Sequence, residues 1–243
     1  MDRGLYIAAT GMYAELARQD QLASDLANAS TPGYKPTRAA QTSFGEVLIS
    51  NTLTGQALGS IGLGAQLDAP RVDLAQGVLR ETDEPLDVAL EGPGFFRLQT
   101  ADGIVYTRDG QFTTDATGRL VTPTGASVLD EQGRPITIPA GAKPAIGPDG
   151  AIRVNGQTVA TLAVVSLANP RKIGDNAFSG TPGAKPAGTQ VRQGYLEASA
   201  VDAATSMIDM IVSMRAYESS QRVIQAIDET LQRGIAAGSA NGS

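Results

Sequence analysis

The sequence predicts an α+β protein with long N- and C-terminal helices that pair as a coiled coil, and a central all-β domain similar to a small barrel or sandwich. Two observations lead to this prediction. Apolar residues recur every three or four positions at both ends of the chain. Between these ends, short apolar runs alternate with Asp-Gly and Asn-Gly pairs, which are typical of hairpin turns. The chain has 243 residues, of which 42% are hydrophobic, so it can bury a substantial core.

The N-terminal helix is predicted from about Leu5 to Ala27. Its apolar stripe has the coiled-coil spacing, with one polar break, at Leu5, Ala9, Met12, Leu16, Gln19, Ala23 and Leu26. The sequence Asn-Ala-Ser-Thr-Pro-Gly then ends the helix, because Asn28 tolerates the left-handed conformation and Pro32 cannot continue a helix. Pro32 and Gly33 fit the central positions of a type II turn.

The C-terminal helix is predicted from about Val201 to Gln232. Its stripe is Met207, Met210, Met214, Tyr217, Gln221, Ile224, Asp228 and Leu231, and Ile208, Ile211 and Val212 widen it. The two terminal helices present more apolar surface than one helix pair can cover. An exposed stripe of this kind usually marks an interface, so these residues are predicted to be buried against another molecule.

Between the helices, the turn pairs Asp102-Gly103, Asp109-Gly110, Asp149-Gly150 and Asn155-Gly156 separate strand-like runs. Six segments are predicted along the chain. An inner coiled-coil domain consists of the N-terminal helix, 1–33, and the C-terminal helix, 200–234. Between them lie an extended linker, 34–83, the β domain, 84–168, and an irregular connector, 169–199, and a disordered tail follows at 235–243.

Composition excludes several classes of function. The chain has no Cys and no His, so it cannot assemble a Ser-His-Asp triad, a Cys-His pair or a thiolate or imidazole metal site. A net charge of −6 argues against a nucleic-acid partner, and no segment approaches the length of a membrane span. The acidic cluster Glu81, Asp83, Glu84, Asp87 and Glu91 is interpreted as a solvated edge rather than a cation or acid/base site. No catalytic, cofactor or metal residue is predicted, and no cofactor.

Three blocks of sequence resemble one family. "GLYIAATGMYA" with "LASDLANASTPGYK", "PLDVALEGPGFFRLQTADGIVYTRDGQFTTDATGRLV" and "YLEASAVDAATSMIDMIVSMRAYESSQRVIQAIDETLQ" are similar, in family order, to bacterial flagellar rod and hook proteins. The resemblance implies a structural subunit, not an enzyme. It implies that the terminal helices pack with neighbouring subunits into an inner tube, with the β domain outside.

The resemblance also implies partners and location. The partners are other rod subunits, further copies of this chain, and the flagellar type III export apparatus during secretion; nucleic acid and membrane insertion are not expected. The expected location is the flagellar basal body, in the periplasmic rod of a Gram-negative cell, reached without a cleaved signal peptide. Within the family, the short length, the opening "MDR" and the stretch "LANASTPG" favour a subunit of the proximal rod, which helps to transmit motor torque.

Three alternatives stay open: a distal-rod subunit, a carboxylate-dependent enzyme acting on peptidoglycan, and a binding module that folds its helices onto itself. The residues predicted to form the assembly interface are Leu5, Ala9, Met12, Leu16, Leu26, Met207, Ile208, Met210, Ile211, Met214, Tyr217 and Ile224.

Overall fold

The structure is a computed structural model that describes residues 2–38, 41–43, 46–50, 57–62, 65–67, 69–139, 141–174 and 176–240. Over these residues the chain forms two helices, α1 (Asp2–Ala27) and α2 (Ala203–Ala240), with every strand between them. The predicted α+β class and the central β domain are therefore confirmed. Within the part of the chain described, neither helix is long and apolar enough to cross a membrane.

The strands are short. The first six are β1 (Thr37–Arg38), β2 (Gln41–Ser43), β3 (Glu46–Ser50), β4 (Ala57–Gly62), β5 (Ala65–Leu67) and β6 (Arg71–Val72). The next eight are β7 (Leu79–Glu81), β8 (Val88–Glu91), β9 (Phe95–Thr100), β10 (Gly103–Thr107), β11 (Thr113–Thr114), β12 (Leu120–Val121), β13 (Ser127–Val128) and β14 (Ala145–Ile146). The last seven are β15 (Ala151–Val154), β16 (Gln157–Thr161), β17 (Val164–Val165), β18 (Leu167–Gly174), β19 (Ala177–Pro182), β20 (Gln190–Gln193) and β21 (Tyr195–Glu197).

The chain divides into two compact units. The helical unit contains Met1–Leu26, Thr37–Arg71 and Ala203–Ser243, and the β unit contains Ala27–Pro36 and Val72–Asp202. In the helical unit, β2 pairs with β5 and β3 with β4, both antiparallel. These strands lie in the stretch 34–83 that the sequence predicts as an extended linker, part of which lies outside the described residues.

The main sheet of the β unit has eight strands. Its order is β11-β12-β13-β9-β10-β19-β18, and β17 also pairs with β9. The prediction of a small barrel is wrong: the described strands form no closed barrel. The turn pairs specify local hairpins, such as β9–β10 and β15–β16, but closure depends on pairing between distant strands, which turn chemistry does not encode.

The core of the β unit covers both faces of β9. Phe96 is fully buried and its ring meets Phe112 edge-on, with centroids 5.3 Å apart. Its neighbour Phe95 points to the opposite face, where it packs with Tyr106 and Phe178. Because successive side chains of a strand point to opposite faces, this one strand anchors two apolar clusters.

The segment 169–199, predicted as an irregular connector, carries most of β18 together with β19, β20 and β21. Its Gly and Asn residues serve the hairpin between β18 and β19, where Gly174 and Asn176 have φ values of 108° and 56°. Positive φ is a conformation that Gly and Asn adopt with little strain. The composition that suggests irregular chain therefore supplies the turns.

Helix α2 is longer than predicted. It has 38 residues, which corresponds to about 57 Å, and it continues to Ala240 through most of the stretch predicted as a tail. The remaining tail residues, 241–243, lie outside the described part of the chain.

Candidate assembly interface

The two terminal helices contact each other and run in opposite directions. Near the end of α2, Ile227 lies beside Gly4: a methyl group on Gly4 would be 3.4 Å from Ile227 Cδ1. Further along α1, the Ser213 hydroxyl donates a hydrogen bond of 2.6 Å to Glu15 Oε2. Residue numbers thus rise along α1, from 4 to 15, where they fall along α2, from 227 to 213. The two helices are therefore antiparallel.

Small side chains lie at these contacts. Ser213 is fully buried, and Ala14, adjacent to its partner Glu15, is 3% exposed. Between the two contacts, a methyl group on Gly11 would be 4.0 Å from Ser220 Oγ. The helices therefore approach through glycine, alanine and serine.

The structure places the predicted interface residues in two groups. The partly buried group contains Met12, Leu26, Met210, Tyr217 and Ile224. The exposed group contains Leu5, Ala9, Leu16, Met207, Ile208, Ile211 and Met214. On α2 the predicted stripe agrees with the burial at Met210, Tyr217, Ile224 and Leu231. At its other four positions the less exposed residue is the one before the predicted residue, namely Ser206, Ser213, Ser220 and Ile227.

A contiguous stretch of α2 consequently presents large apolar side chains to solvent in the single chain. Ile208 is 62% exposed, and Met207, Ile211, Val212 and Met214 are each at least half exposed. On α1, Leu5, Tyr6, Tyr13 and Leu16 are also exposed. Apolar patches of this kind mark interaction surfaces.

At the point where α1 ends, the sequence Thr31-Pro32-Gly33-Tyr34 forms a tight turn. Tyr34 N donates to Thr31 O at 3.3 Å, and Gly33 has a φ of 67°, as the third position of a type II turn requires. The predicted turn is therefore confirmed. The prediction of a left-handed conformation at Asn28 is wrong, because its φ is not positive. Its carbonyl instead accepts a hydrogen bond from Thr31 N.

The segment after this turn pairs with the segment that precedes α2. Gly33 N donates to Glu197 O at 2.7 Å, and Ala200 N donates to Tyr34 O at 3.0 Å. A methyl group on Gly33 would lie 2.5 Å from the backbone of Arg108, so only glycine allows this close approach.

Three buried charged side chains hold this junction together. The Glu197 carboxylate accepts from Lys35 Nζ at 2.5 Å and from Arg108 Nη1 at 3.3 Å, and all three residues are at most 4% exposed. Lys35 Nζ also donates to Ala75 O, and Gly77 N donates to Glu197 Oε1. Burial lowers the pKa of Lys35 and of Arg108, and the neighbouring Glu197 opposes this effect in both. We name Lys35, Arg108 and Glu197 the junction triad.

Sequence reasoning did not single out the junction triad. Its members are separated by up to 162 positions, and a lone Lys or Glu is normally a surface residue. The sequence feature that could have identified the triad is the position of two of its members next to the helices. Lys35 is the last residue of the block "LANASTPGYK", which follows α1, and Glu197 lies in "YLEASA", which precedes α2.

Three of the five acids in the cluster interpreted as a solvated edge, Glu81, Asp83 and Glu84, are exposed. Asp87 is buried, while Glu91 forms an exposed ion pair with Arg192. Among the described residues, no group of three or more acidic side chains could hold a metal ion. The interpretation as a solvated edge is therefore wrong at Asp87, which is buried.

Comparison with known families defines the class of this protein. Residues 5–35 match the family described as "Flagella basal body rod protein", residues 89–154 the "Flagellar hook protein FlgE/F/G D1 domain", and residues 192–237 the "Flagellar basal body rod FlgEFG protein C-terminal". These matches overlap the three blocks of sequence that carry the resemblance.

Relatives of similar length carry the comparison over nearly the whole chain. The rod protein FlgG of Agrobacterium fabrum is 37% identical over 260 residues, covering 93% of this chain and 96% of its own. The rod proteins FlgF of Rhizobium meliloti and of Escherichia coli are 33% and 34% identical, and each alignment covers at least 96% of both chains. The chain belongs to the flagellar basal-body rod protein family. It is a structural subunit of FlgF or FlgG type.

Proposed function

We propose that this protein is the FlgF-type subunit of the proximal rod. The observation that favours this assignment is the fit in length. The alignment to FlgF of Rhizobium meliloti spans 244 residues and covers 97% of both chains, whereas the alignment to FlgG of Agrobacterium fabrum spans 260 residues and covers 93% of this chain. The FlgG alignment therefore needs more gaps, although its identity is higher.

The subunit assembles through its terminal helices. In this proposal α1 and α2 pair as an antiparallel coiled coil. The apolar side chains that stay exposed, with Ile208 and Ile211 at their centre, pack against helices of neighbouring subunits. The contacts through Gly11 and Ser213 support the pairing, since they bring the helices together while Ile208 and Ile211 stay exposed. Those residues remain available for a second partner.

The proposed partners are other rod subunits and further copies of this chain, whose terminal helices together form an inner tube. The assembled shaft transmits motor torque. In this proposal the subunit reaches the periplasmic rod as an unfolded chain through the flagellar type III apparatus.

A gene-deletion experiment tests the position in the rod. Basal bodies are purified from the host bacterium lacking this gene, and their rod proteins are identified by mass spectrometry; re-expression of the gene serves as the control. A proximal subunit is required before distal ones can add, so the distal-rod protein should be absent. If the distal-rod protein remains assembled, the proximal assignment is wrong.

The alternative is a distal-rod subunit, which the higher identity to FlgG favours. In that case the same deletion leaves the proximal subunits assembled on the membrane-facing side and removes only what lies beyond them. The two assignments thus predict different protein compositions in one experiment.

A further inference from the structure

A pocket of about 360 Å³ lies in the β unit, beside the junction triad. It is lined by Leu74, Gln76, Gly92, Pro93, Gly94, Phe95, Arg108, Ser166 and Leu167. Its volume lies at the lower end of the range for small-molecule sites. The walls are mostly apolar, supplied by the side chains of Leu74, Pro93, Phe95 and Leu167.

Most of the polar side chains that line the pocket already have partners. Gln76 Nε2 donates to Leu90 O at 2.9 Å, and Gln76 Oε1 accepts from Gly92 N at 2.9 Å. The Ser166 hydroxyl donates to Ala184 O at 3.0 Å. Arg108 differs: it is 4% exposed, yet its Nε–H is buried without a hydrogen-bond partner. A buried donor without a partner is costly, so it indicates a missing acceptor.

The charges around Arg108 point to the same deficit. Arg108 and Lys35 are both buried cations, and they share the single carboxylate of Glu197. Lys35 is the closer of the two and has additional attraction from Asp73, whereas Arg108 depends on Glu197 at 3.3 Å. A second anion at Arg108 would therefore add to the longer of the two ion pairs that Glu197 makes.

We propose that this pocket binds a carboxylate carried on an apolar stem. The guanidinium of Arg108 pairs with the carboxylate, since its planar donors match two carboxylate oxygens. The stem lies against Pro93, Phe95 and Leu167. A phosphate fits less well, because one arginine among apolar walls offers too few donors for a dianion. The carboxylate belongs either to a free organic acid or to a Glu side chain of another protein chain with apolar neighbours.

The binding test uses the full-length monomer and hexanoate as the probe. Nuclear magnetic resonance follows the Arg108 Nε–H signal and the amide signals of Gly92 and Gly94 during titration. We expect saturable shifts at about millimolar hexanoate. Hexanamide, which has the same stem without the charge, and acetate, which has the charge without the stem, should each bind at least roughly tenfold more weakly. Equal shifts with hexanamide and hexanoate would overturn the proposal.

A pair of variants at the pocket rim gives a second test that leaves the junction triad intact. Leu74 is 40% exposed, so both substitutions are compatible with folding. Leu74→Glu places a carboxylate on a short stem at the pocket and should reduce hexanoate affinity at least roughly tenfold relative to the matched variant Leu74→Gln. Equal affinity in the two variants contradicts an anion site at Arg108.

The two sources of the carboxylate are separated by a third titration. The peptide acetyl-Leu-Glu-Leu-amide carries its only carboxylate on the Glu side chain. Tighter binding of the peptide than of hexanoate identifies a protein side chain as the ligand, and tighter binding of hexanoate identifies a free acid. If neither binds saturably, the pocket is not a carboxylate site.

Discussion

Glu197 is the residue on which the buried charges of the junction depend. Replacing Glu197 with Gln keeps the side-chain shape and an acceptor for Gly77 N, but it leaves two buried cations without their anion. Breaking a buried ion pair by removing one partner is strongly destabilising, so we expect the free energy of unfolding to fall by about 3 to 5 kcal/mol. Urea denaturation of the full chain, followed by circular dichroism, measures this change.

The matched control is Glu91→Gln. Glu91 also pairs with an arginine, at 2.5 Å from Arg192 Nε, but both side chains are nearly half exposed. Exposed pairs contribute little, so this variant should change the free energy of unfolding by less than about 1 kcal/mol. Similar losses in the two variants would show that burial of the triad carries no special cost.

Asp109 makes the stability of the β unit depend on pH. Burial raises its pKa to about 6, and Asp87 adds repulsion, while the hydrogen bond from Gln111 N opposes the shift. The folded state therefore holds the proton more tightly than the unfolded state, whose carboxyl has a pKa of 3.8. As the pH rises from about 4 to 6, the Asp109 carboxyl ionises in the unfolded state but keeps its proton in the folded state, and this difference lowers the free energy of unfolding by at most about 3 kcal/mol.

The variant Asp109→Asn removes this titration and retains an acceptor for Gln111 N. The free energy of unfolding of the variant minus that of the unmodified chain should be near zero below pH 4. This difference should increase between pH 4 and 6 and stay constant above pH 6. Urea denaturation at several pH values gives the difference directly. A difference that does not change with pH excludes Asp109 as the responsible group.

At the scale of the elements, periodicity identifies the helices but not which face each one uses. The spacing of Leu5, Leu16 and Met207 predicts helix correctly, yet all three side chains are exposed in the single chain. The helices contact through Gly11 and Ser213 instead. A pattern of apolar residues indicates which side chains are buried in the functional state. It does not tell whether they are buried within one chain or between chains.

The β unit shows a different limit of sequence reasoning. Turn residues located the hairpin β9–β10, because Asp102-Gly103 is a local signal. The pairing of β9 with β13 and β17, and the ion pair between Lys35 and Glu197, join residues far apart in the chain. Such contacts depend on how the whole domain packs, and no local pattern encodes them.

Limited proteolysis of the monomer should separate the helices from the β unit. Because the helices leave much of their apolar surface uncovered, we expect early cleavage within residues 4–26 and 203–236, since helices without tertiary packing are marginal. The segments 28–36 and 197–202 are held by the junction triad and should remain in the resistant fragment. Mass spectrometry of the fragments locates the cuts. Helices as resistant as the β unit in a verified monomer would support the binding-module alternative.

At the scale of the whole molecule, folding and assembly can be separated by one substitution. Ile211 is about half exposed in the single chain, so Ile211→Asp should leave the monomer folded with a thermal midpoint within about 2 °C of the unmodified chain. In the proposed assembly the same charge enters an apolar contact without a partner, which costs several kcal/mol. The variant should therefore fail to enter rods, as measured by its absence from purified basal bodies and by loss of swimming.

The control for this experiment is Ser219→Asp, which adds the same charge to an exposed polar position of α2. It should fold and support swimming. If Ile211→Asp also supports normal swimming, the exposed stripe of α2 is not buried in the rod.

The hydrogen bonds between Gly33 and Glu197 and between Ala200 and Tyr34 join the first and the last segment of the β unit. The polypeptide first enters this unit and finally leaves it through these two adjacent segments, about one interstrand spacing apart, although the stretch 37–71 between them belongs to the helical unit. Domains whose ends lie close together can be lengthened, shortened or exchanged without altering the chain that carries them. Insertions or deletions in the β unit should therefore leave the terminal helices of this chain unchanged, which is compatible with relatives whose alignments to it span 244 and 260 residues.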